Sequence, residues 1–147
     1  MSTRESAAFT RLKRGILFPG DRVERVENGI SEGMFDVNYC IAGREGWLEI
    51  KAPLVPKRPD TQLLGGGHGI LLSQANWALK QQKAFGRCYL YVATVRASML
   101  LPASMIVDYE ATNRMSLREL SARSLWLAVG RNITPDQWAR LRRMLCV

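Results

Sequence analysis

The sequence has few of the residues that build disulfide frameworks, zinc sites or membrane anchors. Its 147 residues include only three cysteines and one histidine. The cysteines (Cys40, Cys88 and Cys146) are odd in number and far apart, which argues against both a disulfide framework and a zinc site. No apolar run approaches the roughly 20 residues that span a bilayer, and the first residues lack the apolar core of a signal peptide. We therefore expect a cytoplasmic protein without a membrane partner.

Acidic residues are also in short supply. Thirteen acids face 21 lysines and arginines, which gives a net charge of +8 at pH 7. The basic residues are spread over both ends and the middle of the chain. Such a charge favours a polyanionic partner but does not identify one.

The order of the predicted elements indicates an α/β fold with a small mixed central β-sheet flanked by helices. We expect one domain over residues 1–147, with a core over about 1–95 and a C-terminal extension over about 96–147. Residues 99–107 could form an edge strand or a short helix. We also expect helices over 2–16, 74–85 (N-cap Ser73, C′ residue Gly86), 116–123 and 134–145, and strands over 22–28 and 88–95. Residues 124–129 could continue the preceding helix or form a short strand, and we favour the strand.

The stretch from Gly33 to Lys51 reads GMFDVNYCIAGREGWLEIK and predicts a β-hairpin. Its apolar residues alternate, so one face should pack in the core: Val37, Tyr39, Ile41, Leu48 and Ile50. Pairing Val37 with Ile50 sends Asp36, Glu49 and Lys51 together to the opposite face, at the same end of both strands.

Two acids and a lysine at one strand end are suited to phosphodiester hydrolysis. Carboxylates hold hard divalent cations, which activate water and neutralise phosphate charge. Asp36 and Glu49 would be the ligands, with the backbone carbonyl of Ile50 available to the same ion. Lys51 would orient the attacking water or stabilise the phosphate. From spacing alone, the alternative is a solvated charged face with a cross-strand ion pair.

An ordered set of motifs resembles the PD-(D/E)XK nuclease superfamily, and more closely its virus-type replication-repair (VRR-NUC) branch with related small phage proteins. The motifs are Gly33-Met34-Phe35-Asp36, then Gly46-Trp47-Leu48-Glu49-Ile50-Lys51, then Gln74 with Trp77, and Gly86 before an apolar strand. The resemblance covers about residues 22–95. Phe35 stands where the family usually has proline.

The resemblance implies a restriction-endonuclease-like core and a Mg²⁺ or Mn²⁺ cofactor. It assigns Asp36 and Glu49 to the metal, Lys51 to the water or phosphate, and Gln74 to a supporting role. The family also uses an acid upstream of the aspartate. Glu27 is the first choice for that acid, as a further catalytic and metal-binding residue, and Glu5 is the second.

The proline- and glycine-rich segment 52–72 carries the candidate nucleic-acid contacts Lys57, Arg58 and His68, although a lone loop histidine is more often incidental. The expected function is a metal-dependent DNA endonuclease, a deoxyribonuclease acting on branched or structured DNA in phage or mobile-element replication, recombination or repair. A phage-encoded protein would work inside its bacterial host. Symmetric cleavage of a junction would require a homodimer. The alternatives are a non-catalytic nucleic-acid-binding module on a decayed nuclease fold and a protein-interaction factor.

Overall fold

The computed structural model describes residues 1–26 and 31–147 and shows an α/β fold with a six-stranded mixed sheet flanked by helices. The strands are β1 (Arg22–Arg25), β2 (Val37–Ile41), β3 (Arg44–Lys51), β4 (Cys88–Ala93), β5 (Ala97–Pro102) and β6 (Trp126–Val129). The helices are α1 (Thr3–Ile16), α2 (Leu72–Lys83), α3 (Ala103–Val107), α4 (Tyr109–Thr112), α5 (Leu117–Ala122) and α6 (Pro135–Leu145). Glu27 lies outside the described residues.

The strands follow one another in the sheet in sequence order, from β1 to β6. All neighbours are antiparallel except β3 and β4, which are parallel, with Glu49 beside Leu90 and Lys51 beside Val92. The segment between these two strands therefore has to return to the other end of the sheet, and it does so through an irregular loop and α2. Both the loop and the start of α2 lie at the carboxyl end of β3 as a result.

Two apolar clusters hold helices on opposite faces of the sheet. On one face, α1 and α6 pack against the sheet through Leu12, Ile16, Leu141 and Leu145. On the other face, α2, α3 and α5 pack through residues that include Ala78, Ile106 and Leu120. The expected core face of the hairpin is confirmed, since Val37, Tyr39, Ile41, Leu48 and Ile50 are all fully buried in the first cluster.

The predicted hairpin register is wrong by two residues. Val37 pairs with Leu48 rather than Ile50. The reason is the turn: Ala42 (φ 50°) and Gly43 (φ 77°) form a two-residue connection in which both residues have positive φ, as a type I′ turn requires. A shift of two residues leaves every side chain on its predicted face because the strand period is two.

The predicted ends of α2 are also wrong. Leu71, not Ser73, is the N-cap residue, and the Gln74 side chain closes the first turn by accepting a hydrogen bond from the Leu71 N–H at 3.0 Å. At the other end Phe85, not Gly86, has the left-handed conformation (φ 57°). The Phe85 N–H donates to the Gln82 carbonyl and the Gly86 N–H to the Gln81 carbonyl, so the helix still ends in a Schellman motif.

The C-terminal third follows its sequence signals closely. Ser116 and Thr134 cap α5 and α6 through capping boxes, and residues 126–129 form a strand. Residues 97–107 contain both of the alternatives, a strand to Pro102 followed by a short helix. Strand β4 is two residues shorter than predicted. None of the helices in the described ranges is long and apolar enough to cross a membrane.

Candidate active site

The hairpin brings two carboxylates to one end of the sheet. Asp36 immediately precedes Val37, and Glu49 immediately follows Leu48, so the two acids face each other beyond the last paired residues. The Asp36 carbonyl accepts a hydrogen bond from the Val26 N–H at 2.7 Å, which continues the pairing with β1. Lys51 lies two residues after Glu49 and therefore on the same face. Asp36, Glu49 and Lys51 are together, as predicted, in spite of the register shift.

Glu49 is the most constrained residue of the group, with only 3% of its surface exposed. Its Oε1 atom accepts a hydrogen bond from Gln74 Nε2 at 2.7 Å and lies 3.5 Å from Lys51 Nζ. Its Oε2 atom is buried and has no hydrogen-bond partner among the described residues. A buried, unpaired carboxylate oxygen is unfavourable unless a further group satisfies it.

Gln74 links the start of α2 to the acid pair. Its Oε1 atom accepts from the Leu71 backbone and its Nε2 atom donates to Glu49. Because both ends of the amide are engaged, its orientation is defined by the helix start. The glutamine thus holds one Glu49 oxygen, and the other has no partner among the residues that the structure describes.

The segment before Asp36 packs directly on the start of α2. A Cβ atom on Gly33 would lie 2.1 Å from the Ser73 carbonyl oxygen, and Gly33 also has a positive φ of 79°, so only glycine fits there. Phe35 is fully buried, and its ring centroid lies 4.6 Å from that of Trp77. Phe35 thus anchors the turn by packing where the resemblance leads one to expect proline, and Trp77 is a packing residue.

Burial makes both acids hard to ionise, and the charge of Asp36 adds to this effect at Glu49. Desolvation, then the neighbouring charge of Asp36, raises the pKa of Glu49 to about 8, while Lys51 opposes the shift. Desolvation and the charge of Glu5 raise the pKa of Asp36, while Lys51 and Arg25 lower it. The nearby cations therefore do not compensate the two carboxylates, and the site favours an added positive charge.

The donor set fits a hard divalent cation. Asp36 and Glu49 offer carboxylate oxygens. Strand β3 continues from Glu49 to Lys51 beyond Leu48, its last residue paired with β2, so the Ile50 carbonyl lies in a stretch that has no β2 partner. Among residues 1–26 and 31–147, no cluster of three or more histidine, cysteine or acidic side chains could hold a metal. A metal here would therefore have two side-chain ligands from the described residues and need backbone or water oxygens for the rest.

The other predicted residues lie in the loop after β3 and on α1. Lys57 and Arg58 are exposed in the irregular loop. His68 lies in a short 3₁₀ turn and accepts a hydrogen bond at Nε2 from Arg4 at 3.0 Å. Glu5 accepts from the Ser2 N–H in the capping box of α1. The charge of Glu5 raises the pKa values of both Asp36 and Glu49, so it is near the site, but in the described part of the chain no contact joins it to them.

Sequence reasoning missed Arg4, which joins three parts of the structure. Its Nε atom donates to the Ala52 carbonyl at 2.8 Å, directly after Lys51, and its guanidinium also bonds His68. It therefore ties the start of α1 to the end of β3 and to the loop. A basic residue in the first turn of an amphipathic helix carries no local signal for such a contact, because the contact depends on where the helix lies in the fold.

Comparison with known proteins adds no identification to this geometry. No protein-family model matches the sequence, and no curated protein is significantly similar to it.

Proposed function

We propose that this protein is a Mg²⁺- or Mn²⁺-dependent deoxyribonuclease that hydrolyses phosphodiester bonds on a restriction-endonuclease-like core. One observation carries the proposal. Glu49 is buried beside Asp36, with one oxygen held by Gln74 and the other without a partner in the described part of the chain. A purely structural ion pair would leave no such oxygen, whereas a metal ligand requires one.

Each residue has a distinct part in the proposed reaction. Asp36, Glu49 and the Ile50 carbonyl would hold the ion, which when bound polarises the phosphate and makes water more acidic. Lys51, an ammonium group 3.5 Å from Glu49, would donate to a non-bridging phosphate oxygen or orient the attacking water. Gln74 is a positioning residue that fixes Glu49. Glu27 is the proposed upstream acid.

DNA is the proposed substrate because the chain carries a net charge of +8 and most of its cations are free to meet phosphates. In the ranges that the structure describes, only Arg22, Lys51 and Arg142 have a carboxylate oxygen within 4 Å. Branched or flapped DNA of phage or mobile-element origin is the proposed natural substrate. A homodimer is proposed for cutting both strands of a junction.

The test is cleavage of labelled junction, flap, single-stranded and linear duplex DNA with Mg²⁺ or Mn²⁺. We expect metal-dependent cleavage that falls about a thousandfold or more in Glu49→Gln and Asp36→Asn, because each change removes a charged ligand. Glu45→Gln is the matched control, since Glu45 lies exposed on the same strand. Its activity should stay within about twofold of the unmodified protein.

The alternative of a non-catalytic nucleic-acid-binding module makes the opposite prediction. Folded protein that binds DNA, but cleaves neither DNA nor RNA with either metal, would support that module and refute the nuclease. Calorimetric titration with Mn²⁺ separates the two further, because only the nuclease site should lose its metal affinity in Asp36→Asn.

A further inference from the structure

A cavity of about 450 Å³ opens beside the candidate active site, on the other face of the sheet. It lies between α1 and the carboxyl ends of β3 and β4. Its wall begins with Ala52, the residue after Lys51, and continues past the end of β4 to Thr94. We call this cavity the arginine pocket, after the three exposed arginines in its lining, Arg4, Arg11 and Arg131.

The interior of the arginine pocket is neutral. Tyr91 and Ser98 are almost fully buried there. Thr94 directs its hydroxyl to the Ala97 carbonyl at 2.8 Å. The other lining residues are mostly alanine, proline, leucine and valine, and none of the described residues that line the cavity is acidic. An apolar body therefore fits the interior better than a charged one.

The lining also has a charged part, because it includes three exposed arginines. Arg4 is held in place by the Ala52 carbonyl and His68. Within residues 1–26 and 31–147, no carboxylate oxygen lies within 4 Å of Arg11 or Arg131. Unneutralised arginines are well suited to phosphate, which they bind through paired hydrogen bonds.

We propose that the arginine pocket binds one unpaired nucleotide, with the base in the apolar interior and the phosphate on the arginines. Its volume is in the range that accommodates small organic ligands and far exceeds that of a lone phosphate. A base inside a duplex is stacked and cannot enter such a cavity, so the nucleotide has to be unpaired. This inference rests on the proposed function for the origin of the nucleotide.

The position of the pocket connects it to the cleavage site. Arg4 lines the pocket and also contacts His68 in the loop at the active-site end, and Ala52 follows Lys51 directly. A strand whose phosphate lies at Lys51 could pass over the end of β3 and place a neighbouring base in the pocket. The enzyme would then prefer flapped or single-stranded DNA to a fully paired duplex.

The binding test uses the full chain without metal, so that no cleavage occurs. Thymidine 5′-monophosphate is titrated in and followed by backbone amide NMR shifts, with inorganic phosphate as the second probe. We expect shifts at Ala52, Leu54 and Thr94, and affinity for the nucleotide about tenfold or more above that for phosphate. Arg131→Ala should weaken nucleotide binding about tenfold or more. Arg143→Ala is the matched control on the exposed side of α6 and should leave it unchanged.

A second variant keeps the test valid if Arg131→Ala does not fold. Ala7 is exposed on α1 and lines the pocket, so Ala7→Trp should block the mouth while the helix stays intact. Equal affinity for phosphate and nucleotide, or unchanged nucleotide binding in both Arg131→Ala and Ala7→Trp, would overturn the inference and leave the nuclease proposal standing. Nucleotide binding without cleavage of any DNA would refute the nuclease and leave the pocket as a nucleotide site.

Discussion

At the scale of single residues, Glu49 has an unfavourable environment for an ionised side chain. A carboxylate that is 3% exposed has one oxygen without a partner in the described chain and a second acid opposite it. Lys51 supplies one positive charge against two negative ones. The residue is thus destabilising in its ionised form until a cation or a proton neutralises it.

The raised pKa of Glu49 predicts how the stability of the folded protein depends on pH. Glu49 has its pKa raised from 4.5 to about 8, so between these values the folded protein keeps a proton that the unfolded chain releases. Stability must then fall as pH rises through this window, by at most about 1.4 kcal/mol per pH unit. Chemical denaturation in chelator from about pH 5 to 9 should show the unmodified protein losing stability relative to Glu49→Gln up to about pH 8.

The control for this measurement is Glu45→Gln, which removes an exposed carboxylate from the same strand and tests whether the effect is specific to Glu49. A flat difference between Glu49→Gln and the unmodified protein would mean that Glu49 is ionised in the folded state throughout.

The site shows which residue-level features can be read from the sequence. The common face of Asp36, Glu49 and Lys51 follows from strand periodicity alone, and it is unaffected by a two-residue error in register. The bond from Gln74 to Glu49 and the contact of Arg4 with His68 depend on how distant elements pack. Only family resemblance points to Gln74, and nothing in the sequence points to Arg4.

At the scale of elements, the hairpin turn determines where the acids lie. Ala42 and Gly43 both have positive φ, and the Ala42 N–H donates to Asp21 Oδ1 at 3.2 Å. Asp21 also forms an ion pair with Arg142 on α6, which connects the turn to the packed helices. Alanine is a poor residue for the left-handed region, so the turn lacks the Asn-Gly signal from which its register could be predicted.

Ala42→Asn should therefore stabilise the protein. Asparagine tolerates positive φ, and the exposed position requires no repacking, so we expect a gain of about 0.5 kcal/mol in the free energy of unfolding. Gly43→Ala is the opposing variant and should lose roughly 1 kcal/mol for the same reason. Urea denaturation of both variants measures the difference. A loss of stability in Ala42→Asn would contradict the turn geometry.

At the end of α2, residue type again gives a wrong prediction of which residue has a positive φ. Glycine is the usual C′ residue and therefore points to Gly86, yet Phe85 has the positive φ and is 96% exposed. A Cβ atom on Gly86 would lie 2.6 Å from Gln81 Oε1, which is the far end of a flexible side chain and can move aside. The type of residue indicates where the helix ends to within a residue or two, but not which residue takes the unusual conformation.

At the scale of the whole molecule, the topology brings the residues of the candidate site to one end of the sheet. The carboxyl ends of the parallel strands β3 and β4, the start of α1 through Arg4, and the start of α2 through Gln74 all meet there. Helix α2 leads away from this end, so Lys83 lies about 13 Å further along its axis than Gln74. The order of elements predicts this α/β architecture, whereas the meeting of α1 with the end of β3 is visible only in the packed structure.

Because the candidate site lies at one end of the sheet, we expect the basic residues at that end to contribute most to DNA binding. Binding of Glu49→Gln protein to fluorescent flapped DNA should weaken steeply with salt, because phosphate contacts release counterions. Lys57→Ala with Arg58→Ala, in the loop at the end of the sheet that carries the candidate site, should reduce the slope of log affinity against log salt by roughly 0.7 to 0.9 for each phosphate that is no longer neutralised. Lys80→Ala with Lys83→Ala removes the same charge toward the far end of α2 and should weaken binding without that change in slope. Equal slopes for the two double variants would show that DNA is bound through the overall charge of the protein and not through the end that carries the candidate site.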